Sequence, residues 1–106
     1  MDRTTGKQYL MQDDAFEWDT TTAASNLRDH AISFEMAREA FNDAFAAERV
    51  DNRHDANEER VALLGMVGDH LPFVADTLRG ERIRIISART AEPHERRRYH
   101  DENRAT

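Results

Sequence analysis

The side chains in this chain best equipped for chemistry are its arginines. Arginine carries a planar, permanently charged fork of donors that matches two oxygens of a phosphate or a carboxylate at once. Residues 79–99 hold seven of them against Glu81, Glu92 and Glu95, whereas residues 1–60 hold seven basic and fourteen acidic side chains. Lys7 is the only lysine. Arg82, Arg84 and Arg89 lie in "ERIRIISAR", where apolar and basic residues alternate, and Arg96, Arg97 and Arg98 follow as a run. Arg60 closes "EER" and opens another apolar stretch. Two such side chains converging on one phosphate would stabilise the charge that builds up in phosphoryl chemistry. The plainer alternative for Arg89 is a surface ion pair with Glu92 or Glu95, worth little. An arginine-favouring, GC-rich genome would also raise the count.

Proton carriers are fewer. His54 and His30 are the candidates, because an imidazole can titrate near neutral pH. Glu58 or Glu59 can orient Arg60 or act as a base, against a plain role in pairing charge at a strand end. Tyr99 can stack on a ring or donate a proton, against a role in anchoring the last helix. His54 and Glu58 have no third ligand beside them, so no metal site is expected. The chain has no cysteine, which excludes disulfides and zinc-thiolate centres, and nothing in it calls for a cofactor.

These residues need a frame. Residues 1–13 are polar and aperiodic and read as a flexible extension, with Met11 an alternative start; residues 14–106 read as one domain. "AFEWD" is expected to be an edge strand with Phe16 and Trp18 on one side. Asp19 then caps a helix carrying Ala23, Leu27 and His30, where His30 suits the negative end of the dipole. After a tight "AIS" link, Ser33 caps a second helix bearing Phe34, Ala37, Phe41 and Phe45. "AFAAERV" reads as a strand and "DNRHDANEE" as a loop. "RVALLGMV" and "HLPFVADTL" form a hairpin about Gly68-Asp69, and "RGE" turns into "RIRIISAR". Pro72 suggests an edge or a bulge in its strand. Strict alternation places Arg82, Arg84 and Ile86 on one face of the last strand and Ile83, Ile85, Ser87 and Arg89 on the other. "EPHERRRYHDENR" ends the chain as a helix, with Pro93 in its first turn. The expected fold is α+β. In it, a four-stranded antiparallel meander packs Val61, Leu63, Leu78, Ile83 and Ile85 against Leu27, Phe34, Phe41 and Phe45, with the helices on one face.

The net charge of -6 argues against nucleic acid as a partner of the whole surface, but not of the arginine-rich end. No apolar run has the length of a membrane span or the pattern of a signal peptide, so a soluble cytoplasmic protein is expected.

"FEWD" at 16–19, "ASNLRDHAISFEMA" at 24–37, "EER" at 58–60, "IRIISAR" at 83–89 and "ERRRY" at 95–99 occur in the same order as in the BrnT family, which the chain resembles over residues 15–100. The resemblance implies a RelE-like fold and a metal-independent endoribonuclease toxin of a type II toxin-antitoxin system. It further implies inhibition of translation and neutralisation by a BrnA-type antitoxin in a hetero-oligomer, such as a dimer of heterodimers. DNA would be met only through that antitoxin, in a complex repressing the shared operon. On this reading Arg60, Arg84 and Arg89 hold the scissile phosphate while the 2′-hydroxyl attacks, and Tyr99, Glu58, His54 or His30 moves protons. Arg82, Arg96 and Arg97 would bind RNA. Two departures stand out: Met36 replaces the usual Glu, and Asp76 stands where an aromatic or His is common. A carboxylate at Asp76 would repel phosphate, so a second reading is a decayed module that only binds antitoxin. A third, a stand-alone DNA-binding regulator, lacks a recognition-helix pattern.

Overall fold

The computed structural model describes residues 10–51 and 59–104. Six strands, β1 (Leu10–Gln12), β2 (Phe16–Asp19), β3 (Ala47–Asp51), β4 (Arg60–Leu64), β5 (Pro72–Arg79) and β6 (Arg82–Thr90), form one sheet in the order β1-β2-β6-β5-β4-β3. Helices α1 (Thr20–His30) and α2 (Phe34–Ala40) follow β2, and α3 (Pro93–Arg104) ends the chain.

Local signals act as expected at several points. Asp19 accepts from the Thr22 amide and starts α1, and Ser33 accepts from the Met36 amide and starts α2, so the missing Glu at Met36 does not remove the cap. Ala31 takes a left-handed conformation and returns its amide to the Leu27 carbonyl, ending α1. Gly68 and Gly80 supply the positive φ that the two hairpin turns require.

The sheet is mixed, not antiparallel throughout. β3 to β6 form the expected meander, but β2 runs parallel to β6 and β1 antiparallel to β2. Residues 10–12, read as part of an extension, thus become the edge, and "FEWD" becomes an interior strand with Trp18 only 3% exposed. Pro72 opens an interior strand, where its missing N–H is tolerated at the first position.

The main core lies between the sheet and α1 and α2: Phe16, Trp18, Phe34, Ala37, Leu63, Val74, Ile85 and Ala88. Trp18 meets Phe34 edge-on, with ring centroids 5.8 Å apart, a favoured arrangement for two aromatic quadrupoles. Three residues expected in this core are exposed, namely Leu27, Phe45 and Leu78. In α1 the inward position belongs to Asn26, one residue before Leu27, and α2 stops at Ala40, before Phe45 can join its inner face. A second, smaller core of Ala47, Leu64, Leu71, Ala91 and Tyr99 lies under α3 on the opposite face, so the helices are not all on one side.

Asn26 shows what the apolar pattern could not. Its amide donates to the carbonyls of Ala88 (2.7 Å) and Ile32 (3.0 Å), and its oxygen accepts from the Ala88 amide. β2 pairs with β6 only at Ile83 and Arg84, so Asn26 takes the place of a strand partner for Ala88. Asn26→Ala leaves three buried backbone groups unpaired and is expected to destabilise the fold by about 3 kcal/mol. Urea titration of the variant against wild type measures this, and a loss below about 1 kcal/mol would mean that water replaces the amide.

Candidate nucleic-acid interface

The phase of β6 decides which arginines share a face. Asp76 pairs with Ile85, but the preceding residue, Ala75, pairs with Ser87, so Ile86 is an extra residue at a bulge. The bulge resets the alternation. Ile85 and Ala88 both enter the main core, while Ser87 and Arg89 join Arg84 on the opposite face. Strict alternation, which set Arg84 against Arg89, fails here for that reason.

Three cross-strand rows build this face. Asp51, Arg60, Thr77, Arg84 and Glu17 form one; Arg49, Ala62, Ala75 and Ser87 the next; Ala47, Leu64, Phe73 and Arg89 the third. Arg60 and Arg84 therefore flank Thr77 from its two neighbouring strands. Thr77 is buried and donates its hydroxyl to the Glu59 carbonyl (2.7 Å). Arg84 binds the Glu17 carboxylate at 2.8 Å. This bond fixes its direction and, among the described residues, leaves other donors of the fork uncommitted.

Arg89 is held more tightly. Nη1 and Nη2 each donate to Glu95 at 2.9 Å, and the guanidinium stacks 4.3 Å from the Phe73 ring centroid. Both contacts are of the stronger kind for a guanidinium, a charge-assisted bidentate pair and a cation over an aromatic face. Glu95 is buried (5% exposed) and also accepts from the Glu92 amide at the start of α3. The bond from Arg89 lowers the Glu95 pKa, and the same bond raises that of Arg89, so both stay charged. The ion pair foreseen for Arg89 is thus real, bidentate and partly buried. Glu92, His94 and Glu95 bring ligand-type atoms within 4.8 Å of one another, but both oxygens of Glu95 are already engaged.

A cavity of about 380 Å³ opens between α3 and β3 to β5, lined by Arg49, Ala62, Phe73, His94, Glu95 and Arg98 among others. His94 and Arg98 lie one helical turn apart on α3. Sequence reasoning passed over Arg49 and His94 and took Arg98 only as part of the arginine run, although the i, i+4 spacing of His94 and Arg98 was legible.

The structure places Arg60, Arg84 and Arg89 on one face of the sheet but separates the remaining candidates. Arg82 donates to the Asp13 carbonyl (2.6 Å). Arg97 is exposed and Arg96 half-buried, and neither lines the cavity, which takes Arg98 from the run instead. His30 is exposed at the end of α1, on the helix side of the sheet. His54 and Glu58 lie outside the described residues.

Tyr99 is not a free proton donor. It is 6% exposed and donates to the Asp43 carboxylate, which also accepts from the Met66 and Phe45 amides. Burial first, and the bond to Asp43 second, push its pKa up to about 12. It ties α3 to the turn after α2. Tyr99→Phe should lower stability by about 2 kcal/mol, the usual range for a bond to a charged group, and leave RNA cleavage per folded molecule unchanged. A fall in cleavage with an unchanged melting temperature would return Tyr99 to the mechanism.

Asp76 lies on the helix side, in the row of Val50, Val61 and Ile85, and is 5% exposed. The sheet separates it from the arginines, so it does not repel a phosphate there.

A family model described as ribonuclease toxin, BrnT, of type II toxin-antitoxin system matches residues 18–95. The chain belongs to that family. No curated protein matches it. The matched span includes Arg60, Arg84, Arg89 and Glu95 and stops just short of the arginine run. As a member of a type II system, this BrnT-family toxin has a protein antitoxin as partner. Among the described residues no helix is long and apolar enough to cross a membrane.

Proposed function

We propose that this ribonuclease toxin is an endoribonuclease that needs no metal and cuts on the arginine face of the sheet. Family membership supports the reaction class, and the observation that carries the assignment to this face is the row Arg60–Thr77–Arg84, with Arg89 brought onto the same face by the bulge. In such a reaction the 2′-hydroxyl attacks its own phosphorus and the 5′-oxygen leaves. The protein's main task is to hold the phosphate in line and stabilise the negative charge that gathers on its oxygens. Arg60 and Arg84 approach from two sides of Thr77, and Glu17 keeps Arg84 pointed along the face. Arg89, neutralised by Glu95, acts chiefly by holding Phe73 and the start of α3 in place.

On the same reading the toxin works in the cytoplasm and blocks translation. A BrnA-type antitoxin neutralises it in a hetero-oligomer that represses the shared operon, and the fold is RelE-like with β1 added. Asp76 no longer argues for a decayed module, since it lies across the sheet from the arginines.

The test is incubation of antitoxin-free protein with end-labelled RNA in excess EDTA. Fragments ending in 2′,3′-cyclic phosphate are expected. Uncut RNA, with folding verified and ribosomes supplied in a second reaction, would instead leave a binding-only protein.

A further inference from the structure

We propose that the cavity between α3 and β3 to β5 is a nucleotide subsite, in which Arg49 and Arg98 hold the phosphate next to the one that is cut. The proposal rests on the ribonuclease reading and adds where the neighbouring nucleotide sits.

The cavity has a small residue, Ala62, in its lining. Ala62 and Ala75 pair side by side in the middle row of the face, and Ala62 forms the floor. Larger side chains there would fill the space beneath α3. At about 380 Å³ the space is large enough for a nucleotide. Small-molecule sites in proteins commonly have volumes of this size or somewhat greater.

The lining charges favour an anion. Asp51 and Glu95 are the acids; Glu95 is engaged by Arg89, which leaves Arg49 and Arg98 against Asp51 alone. Arg49 is exposed on the edge strand β3 and makes no ion pair among the described residues. Among those residues Arg98 pairs with Glu102 at 3.7 Å. That contact is an i, i+4 pair on one helix, weak enough for a phosphate to outcompete. His94 adds a further polar side chain to the lining, one turn before Arg98. Phe73 adds an apolar wall to the lining, held in place by the Arg89 guanidinium stacked over its ring.

The position fits a continuous strand of RNA. Arg49 pairs with Ala62, two residues along β4 from Arg60. Two residues of extended chain span about 7 Å, close to the spacing of successive phosphates in a nucleic-acid strand. A chain whose scissile phosphate lies at Arg60 and Arg84 therefore places its next nucleotide over Ala62, beneath His94 and Arg98.

The experiment is titration of the free toxin with 3′-uridine monophosphate, followed by amide chemical shifts and calorimetry, with RNA cleavage measured in parallel. Binding is expected, with shifts centred on β3, β4 and α3. Arg49→Ala/Arg98→Ala should weaken it at least about tenfold and raise KM for RNA more than it lowers kcat. Arg84→Ala should bind the nucleotide but cut poorly. Equal binding by wild type and the double variant, shifts confined to other elements, or no binding at millimolar nucleotide would each overturn the subsite. If wild type binds as described yet cuts no RNA, the ribonuclease reading falls, and with it the placement beside a scissile phosphate, leaving a nucleotide site only.

Discussion

Arg89→Ala is expected to lower the stability of the toxin markedly, as well as any activity. Its loss leaves the Glu95 carboxylate, 7% exposed in its side chain, beside the start of α3 with no counter-charge. Breaking a fully buried pair from one side costs about 3–5 kcal/mol. The Arg89 side chain is 34% exposed, and solvent screening brings the expectation down to about 2 kcal/mol. The lost stack on Phe73 adds to this. Glu95→Gln combined with Arg89→Ala should recover part of the loss, because no charge is then stranded. A double-mutant cycle by chemical denaturation gives the coupling directly. A coupling near zero would mean that the bidentate pair seen here contributes nothing in solution. The practical consequence is that low cleavage by Arg89→Ala alone does not establish a catalytic role, since part of it follows from unfolding.

Asp76→Asn is expected to stabilise the protein above neutral pH. Burial first, and the charge of Glu48 second, push the Asp76 carboxyl up to about 7 from an ordinary 3.8. One of its oxygens has no hydrogen-bond partner. The folded protein thus holds this proton more tightly than the unfolded chain does. Stability from this group is fully present below about pH 4 and is lost as pH rises from about 4 to 7. The difference corresponds to about 4 kcal/mol, present in wild type at low pH and gone above neutrality. Asparagine keeps the shape and cannot ionise, so the variant should match wild type near pH 4 and exceed it by up to that amount at about pH 8. Denaturation midpoints across this range test it; parallel curves for the two proteins would show that Asp76 finds a partner in solution.

Much of the frame was legible because it rests on local chemistry. The caps at Asp19 and Ser33, the turns at Gly68 and Gly80 and the last helix from Pro93 each follow from one or two residues whose geometry leaves few choices. What the sequence concealed depends on non-local pairing. The bulge at Ile86 is visible in "RIRIISAR" only as one more apolar residue, yet it decides that Arg84 and Arg89 share a face. Nothing in the sequence sets Asn26 apart from the other polar residues of α1, but its amide completes β6, and the period through Leu27 is therefore one position late. Leu10–Gln12 lacks the apolar pattern of a strand because it lies on the edge, where only one side needs pairing. The cavity was hidden for a different reason: its floor is alanine, and small residues mark an empty place only once the strands around them are known.

The most direct measurement is the single-turnover rate of RNA cleavage by Glu17→Gln/Arg84→Ala, compared with wild type at equal folded fraction in EDTA. The paired substitution avoids stranding the Glu17 charge, so the comparison reads the arginine face and not stability. A rate at least about a hundredfold slower is predicted, the scale of losing one preorganised charge-stabilising donor. A rate within about threefold of wild type would contradict the assignment of cleavage to this face.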